Sequence, residues 1–205
     1  MNVQGLGDKN KRLDVIDFLK QQKGSIYFLQ DTHFTDDLIK QIYLEVNLQC
    51  YFNNFSSQSR GVAIFISNTL DFQLKSINRD TDGNMLILDC SICNKNISLI
   101  NIYGPNQDKP EFYKLLNNKI QHLDSHCIIA GDFNLVLNPD MDAFDYVNLN
   151  NPKAREVLLE LIMENNLVDS WREFNLEKKE FTWFKKNSQK KSRLDYFFYI
   201  KQSIS

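Results

Sequence analysis

Residues 130–134 read Ala-Gly-Asp-Phe-Asn at the end of an apolar run. The spacing predicts a Gly turn that holds Asp132 and Asn134 on one side of a strand end. A carboxylate beside a carboxamide suits hydrolysis of a phosphate ester. The Asp takes a proton from water, and the Asn hydrogen-bonds a phosphoryl oxygen. A strand followed by a Gly-Asp turn is common by itself, so the weight lies in what accompanies it. Asn2-Val3-Gln4-Gly5-Leu6 opens the chain, Leu29-Gln30-Asp31-Thr32-His33 follows, and Ser192-Arg193-Leu194-Asp195-Tyr196 nearly closes it.

Asn2, Asp31, Asp132, Asn134 and Asp195 each read as lying at the C-terminal end of an apolar strand or in the turn after it. Tyr103 holds a similar place in Asn101-Ile102-Tyr103-Gly104-Pro105-Asn106. Polar groups at several strand ends converge when the strands share a sheet. Any one of them alone reads as a turn residue or a cap; six together point to a site.

The elements that must position them follow from hydrophobic periodicity. Helices are predicted over 11–22, 38–46, 110–123 and 151–165. The first has Leu13, Ile16 and Leu19 on one face, with Val15 and Phe18 beside it. Strands are predicted over 25–30, 50–55, 61–67, 72–77, 85–92, 97–103, 127–130, 180–184 and 193–200, with a strand stub at 1–4. Turns fall at Asp82-Gly83 and Asn94-Lys95, and a polar loop covers 138–150. The last two strands pair antiparallel across a basic loop. Helices interleaved with strand pairs make the fold α/β or α+β, with sheets covered by helices.

The chain has 205 residues and no Pro/Gly/Ser-rich linker, which points to one domain. Hydrophobic residues make up 42%, enough for a core and too many for global disorder. No segment approaches the ~20 apolar residues of a membrane span, and the N-terminus lacks signal-peptide character. The expectation is an intracellular protein with no membrane partner. Cys90 and Cys93 have no second pair at zinc spacing, so the four cysteines read as small apolar groups. His122 and His126, four apart, would clamp a metal on one helix, but they straddle a predicted helix end. Net charge is −2, which excludes a non-specific nucleic-acid coat. Residues 172–205 nonetheless hold nine Lys and Arg against four Asp and Glu, a surplus of five, which leaves −7 elsewhere. Lys185, Lys186, Lys190 and Lys191, beside Trp183 and Phe184, form either a contact for a nucleic-acid backbone or an ordinary solvated hairpin loop.

Taken together, these segments resemble the endonuclease/exonuclease/phosphatase superfamily. Within it they are similar to the apurinic-site-type endonuclease domain of LINE non-LTR retrotransposons. The shared pattern includes Asn-Val-Gln-Gly-Leu, Leu-Gln-Asp-Thr-His, Ser-Arg-Gly-Val-Ala-Ile, Asn-Ile-Tyr-Gly-Pro-Asn and Gly-Asp-Phe-Asn. It continues with Val-Asp-Ser-Trp-Arg, Phe-Thr-Trp and Ser-Arg-Leu-Asp-Tyr, in order over residues 2–199. The resemblance implies a four-layered α/β sandwich, two mostly antiparallel sheets flanked by helices. It implies phosphodiester hydrolysis of DNA dependent on Mg²⁺ or Mn²⁺, related to apurinic-site repair endonucleases and exonuclease III. By motif position, Asp31 is the acidic metal ligand and Asn2 lies beside the metal. Tyr103 and Asn134 contact the scissile phosphate, Asp132 positions or deprotonates the attacking water, and Asp195 orients a catalytic His. The implied partner is double-stranded DNA, the implied location nuclear, and the implied context a longer polyprotein with a reverse transcriptase.

The chain departs from the pattern in two ways. Asp31 stands where most relatives carry Glu, one methylene longer. The family's Ser-Asp-His motif, on a further strand, does not occur before Ser205. His33, His122 and His126 fall in segments matched elsewhere and cannot replace it. These features imply a domain incomplete at both ends, lacking the final strand, and an impaired enzyme. Two functional readings lead: an endonuclease that nicks target DNA, and a catalytically dead remnant that folds or binds DNA weakly. A third, a superfamily member acting on inositol phosphates or sphingomyelin, is disfavoured by Arg193–Tyr196 and by the Trp-Arg and Thr-Trp motifs.

Overall fold

The computed structural model describes residues 1–123, 126–146 and 149–200. The chain divides into two compact units, Met1–Tyr103 and Gly104–Ser205.

The first unit comprises α1 (Lys9–Gln21), β1 (Ile26–Gln30), α2 (Asp36–Glu45), β2 (Leu48–Asn53), β3 (Val62–Ser67), β4 (Phe72–Arg79), β5 (Met85–Ile92) and β6 (Lys95–Tyr103). Side-chain caps start both helices: Asp8 accepts from the Lys11 N–H, and Thr35 accepts from the Leu38 N–H. β3 lies between β1 and β2, antiparallel to both. Its residues from Val62 to Ile66 are all buried, so β3 reads as a continuous apolar run without alternation. Ile16, Leu19, Phe34 and Ile42 pack with Leu29, Phe52 and Phe65 in one core.

β4, β5 and β6 form an antiparallel meander. The β5–β6 turn is Cys93-Asn94, with φ of +49° and +63°. This is the two-residue hairpin connection that favours left-handed residues. Lys95, expected in the turn, belongs to the strand. Phe18, expected beside the inward face of α1, is 47% exposed, whereas Arg12 is buried. Arg12 donates to both Glu45 carboxylate oxygens at 2.6 and 2.9 Å, and to the carbonyls of Leu6 and Gly7. Amphipathic periodicity misses such a residue because its charge is satisfied by distant partners.

The second unit comprises α3 (Pro110–Gln121), β7 (His126–Asp132), α4 (Pro139–Asp142), β8 (Ala143–Phe144), α5 (Pro152–Glu164), β9 (Leu167–Asp169), α6 (Ser170–Phe174), β10 (Trp183–Phe184), β11 (Lys191–Ser192) and β12 (Asp195–Ile200). β12 lies between β7 and β9, antiparallel to both. α3 packs on α5, burying Leu116, Ile120, Leu158 and Leu161. Proline opens both helices, where its missing N–H costs nothing. Asn151, at the α5 N-cap position, has no side-chain cap bond. The Asp108 carboxylate accepts instead from the N–H groups of Lys153 and Ala154.

Two expectations need correction here. The final hairpin is β10 with β11, Trp183 opposite Ser192 and Phe184 opposite Lys191; residues 195–200 leave it to pair with β7 and β9. The loop expected over 138–150 holds α4 and β8, two elements too short for periodicity to register. Sequence reading also missed β9 and α6.

Candidate functional site

β7 ends in Asp132 and β12 begins with Asp195, and the two residues are register partners. Opposed residues of an antiparallel pair project from the same sheet face. Sequence reading set Asp195 at the far end of a strand, but it opens one. Antiparallel pairing brings the first residue of β12 beside the last of β7. The expected Gly turn is likewise displaced: Gly131 and Asp132 are still strand, and the chain turns at Phe133 and Asn134. Asn134 has φ +52°, and its N–H donates to Asp132 Oδ1 at 3.0 Å. Its Nδ2 donates to the Gly104 carbonyl at 2.7 Å; among the described residues its second amide hydrogen has no partner.

Main-chain bonds knit these segments together. Gly104 N–H donates to the Asp132 carbonyl at 2.7 Å, and Phe133 N–H to the Leu194 carbonyl at 2.8 Å. Gly104 has no room for a side chain, since a Cβ there would lie 2.2 Å from the Phe133 carbonyl oxygen. Tyr113 Oη donates to that same oxygen at 2.5 Å. Burial above all, and then the nearby Asp132 charge, push the Tyr113 hydroxyl well above its ordinary range, so it stays a donor.

Residues that sequence reasoning named only within motifs, or not at all, lie about the start of β12. Thr182 Oγ1 accepts from the N–H groups of Leu194 and Asp195 at 3.0 and 3.2 Å. Arg193, buried, donates to both oxygens of Asp142 and, at 2.6 Å, to Asp169. Burial lowers its pKa, but the bonds from Asp169 and Asp142 outweigh that and hold it above the usual arginine range. The signals for Arg193 and Thr182 were their places in Ser-Arg-Leu-Asp-Tyr and Phe-Thr-Trp; nothing local marked Asp142. Beside Asn134 a cleft of about 160 Å³ opens, with Asn106, Tyr146, Asn150, Trp183 and Leu194 among its walls.

The first unit carries Asn2, Asp31 and Tyr103. Asn2 bridges Gln30 in parallel, which sets it next to the chain at Asp31. Its Oδ1 accepts from the Gln4 N–H at 3.0 Å. Asp31 follows β1 directly with φ +57°, a left-handed conformation uncommon outside Gly and concentrated at functional sites. Its Oδ1 accepts from the Arg60 N–H at 3.0 Å and pairs with His33 Nε2 at 2.9 Å. Tyr103 closes β6, its N–H donating to the Asn84 carbonyl. Behind it, Asn101 is fully buried. It accepts from Gln30 and donates to the carbonyls of Leu29 and Ala63, locking β6 to β1 and β3.

Among the described residues, no group of three or more His, Cys, Asp and Glu side chains could hold a metal ion. His122 caps the C-terminus of α3 and bonds the Asn118 carbonyl, whereas His126 opens β7. His126 and Asp132 therefore sit at opposite ends of one strand, about 20 Å apart at a strand's rise. No described helix is long and apolar enough to cross a membrane.

This arrangement has close parallels among known proteins. The catalytic domain of APE2 from Xenopus laevis superimposes with a TM-score of 0.78 over 98% of this chain and 81% of that one, at 22% identity. An AP endonuclease from Archaeoglobus fulgidus gives 0.75 over 95% of this chain and 84% of its own, at 20% identity. The 3'-5' exonuclease NExo from Neisseria meningitidis gives 0.69 over 93% and 82%, at 18% identity. The mixed α/β architecture is thus the one these structures share. In sequence, the chain is 33% identical over 191 residues to the Transposon TX1 uncharacterized 149 kDa protein of Xenopus laevis. That match takes in 89% of this chain but only 14% of the relative. The sequence pattern of the Endonuclease/Exonuclease/phosphatase family matches residues 1–199, across both units. With Asp132, Asn134 and Asp195 brought together by β7 and β12, and with that pattern matched over nearly its whole length, the chain belongs to the endonuclease/exonuclease/phosphatase family.

Proposed function

We propose that the chain is a metal-dependent phosphodiesterase domain that nicks double-stranded DNA in the service of a retrotransposon, as part of a longer polyprotein. The observation that carries the reading is the opposed pair Asp132 and Asp195, with Asn134 two residues on and hydrogen-bonded to Asp132. Its family and its transposon relative support the substrate class. The Asn134 cleft supports it too: amide groups offer hydrogen bonds and Trp183 offers a stacking surface for a nucleotide unit.

In this reading Asp132 takes the proton of the attacking water, and Asn134 donates its remaining amide hydrogen to a phosphoryl oxygen. Tyr103 contacts the same phosphate. Asp195, the register partner of Asp132, would orient the catalytic His of the family's Ser-Asp-His motif. Asp31 and Asn2 would hold the cation. The donor set fits Mg²⁺ or Mn²⁺, because Mg²⁺ is commonly bound through one or two carboxylates plus waters and substrate phosphates rather than by an all-protein cage. When bound, the cation neutralises charge on the phosphate.

The test is nicking of supercoiled plasmid in Mg²⁺ by the chain extended with a downstream segment that carries Ser-Asp-His. The reading expects nicks that EDTA abolishes and that Asp132→Asn or Asn134→Ala reduces by ~10²–10⁴. DNA that is bound but left uncut would favour the non-cleaving remnant.

A further inference from the structure

The Asp31 carboxylate is held by more than its own backbone. Both of its hydrogen bonds fall on Oδ1, one from the Arg60 N–H at 3.0 Å and one with His33 Nε2 at 2.9 Å. Among the described residues, Oδ2 is left for a ligand. The two contacts belong to a closed loop of bonds, since His33 N–H donates to the Arg60 carbonyl at 2.9 Å. Asp31 and His33 both adopt left-handed backbone, φ +57° and +56°. Thr32 between them has its side chain turned inward and buried. Asp and His are among the residue types that adopt this conformation most readily after Gly. Here it returns the imidazole to the carboxylate two residues earlier.

The ring is also seated from its far side. A Cβ at Gly5 would stand 2.6 Å from His33 Nδ1, and Gly5 N–H donates to the Asp31 carbonyl at 2.7 Å. The Gly of the opening Asn-Val-Gln-Gly-Leu segment therefore makes space for the imidazole. His33 and Asp31 side chains are 19% and 17% exposed, enough for solvent and ions to reach both.

The geometry points to His33 as a positioning residue for the cation site. Its Nε2–H fixes Asp31 Oδ1, so that Oδ2 is presented to a divalent cation in one orientation. A short carboxylate gains most from such a clamp, because Asp has no second methylene with which to adjust its reach. Outer hydrogen-bond partners of metal-binding carboxylates act in this way, and their loss typically costs ~10–100-fold in metal affinity. The inference rests on the proposed role of Asp31 as cation ligand.

The experiment is Mn²⁺ binding to the chain without DNA, followed by calorimetry and by the electron paramagnetic resonance signal of free Mn²⁺. Thermal melting of each variant confirms the fold. Wild type should bind and Asp31→Asn should not. His33→Ala should bind ~10–100-fold more weakly. His33→Gln, which retains a side-chain N–H donor, should recover most of the loss. Unchanged affinity in His33→Ala overturns the inference while leaving the role of Asp31 intact. Equal weakening in His33→Ala and His33→Gln overturns it too, because the imidazole would then be a ligand itself. If wild type fails to bind, or Asp31→Asn binds as well as wild type, the assignment of Asp31 is what fails.

Discussion

Asp132 and Asp195 sit directly opposite each other on β7 and β12, two carboxylates on one face of an antiparallel pair. Like charges in that relation destabilise a sheet. Asp132 is also buried, at 6% exposure. A locally unfavourable arrangement of this kind is expected where function, not stability, sets the residues.

Asp195→Asn keeps the shape and removes one of the two charges. The variant should melt at or above the wild-type temperature, with a gain of about 0.2–1 kcal/mol. In a longer chain that carries a Ser-Asp-His motif, DNA nicking should fall by ~10² or more; in residues 1–205 alone it should barely change. A lower melting temperature would show that Asp195 is a structural residue first.

Gly104→Ala forces a methyl group to within 2.2 Å of the Phe133 carbonyl oxygen and 2.5 Å of Tyr113 Oη. The expected cost is about 1–3 kcal/mol, read as a lower melting temperature. Nicking should fall as well, because the Gly104 carbonyl anchors the Asn134 amide.

The bond from Arg12 holds the Glu45 carboxyl below its ordinary value of 4.5. A depressed carboxylate contributes stability that is fully present above the unfolded-state value and is lost as pH falls through the folded-state one. Melting temperatures taken from about pH 6 to about pH 3 should therefore fall more steeply for wild type than for Glu45→Gln. Glu45→Gln should be the less stable of the two at neutral pH, since it weakens the pairing of buried Arg12.

Lys185 and Lys186 are exposed in the β10–β11 loop. Lys190 and Lys191 instead lie over aromatic rings, at 5.3 Å from Tyr146 and 4.9 Å from Phe144. Replacing Lys185 and Lys186 together by Ala should weaken DNA binding without changing the melting temperature. The slope of log affinity against log salt should drop by ~0.9 for each phosphate contact removed. An unchanged slope would mark the loop as solvated and idle.

Cys50, Cys90 and Cys127 are buried, and burial pushes their thiols up to about 12, 11 and 12. Only the thiolate reacts. At mildly alkaline pH a disulfide reagent should modify one thiol quickly, the exposed Cys93. Cys93→Ser should remove that phase, and the other three should react only on unfolding.

Much of the fold was legible locally. The strand at Met85–Ile92 and the start of α2 at Thr35 follow from apolar runs and from capping chemistry, which act within a few residues. The partners of the last strand were not. Residues 195–200 read as half of a hairpin because the basic loop invites one, but β12 pairs with β7 and β9. Choosing among possible strand partners is a matter of packing across the whole unit, and no short segment encodes it. β9 and α6 were missed for a related reason: three and five residues are too few to display a period.

The sequence by itself determined which chemical groups are proposed for the chemistry. Asp31, Asp132, Asn134 and Asp195 stand out because polar residues interrupt or bound apolar runs, and their motifs carry the family. Only the tertiary structure decided how they are held. Antiparallel register set Asp195 opposite Asp132, although the chain separates them by more than sixty residues. Left-handed backbone at Asp31 and His33 folded the imidazole back onto the carboxylate. Arg193 found Asp142 and Asp169 from distant elements. Such contacts depend on three-dimensional proximity, and spacing along the chain does not carry it.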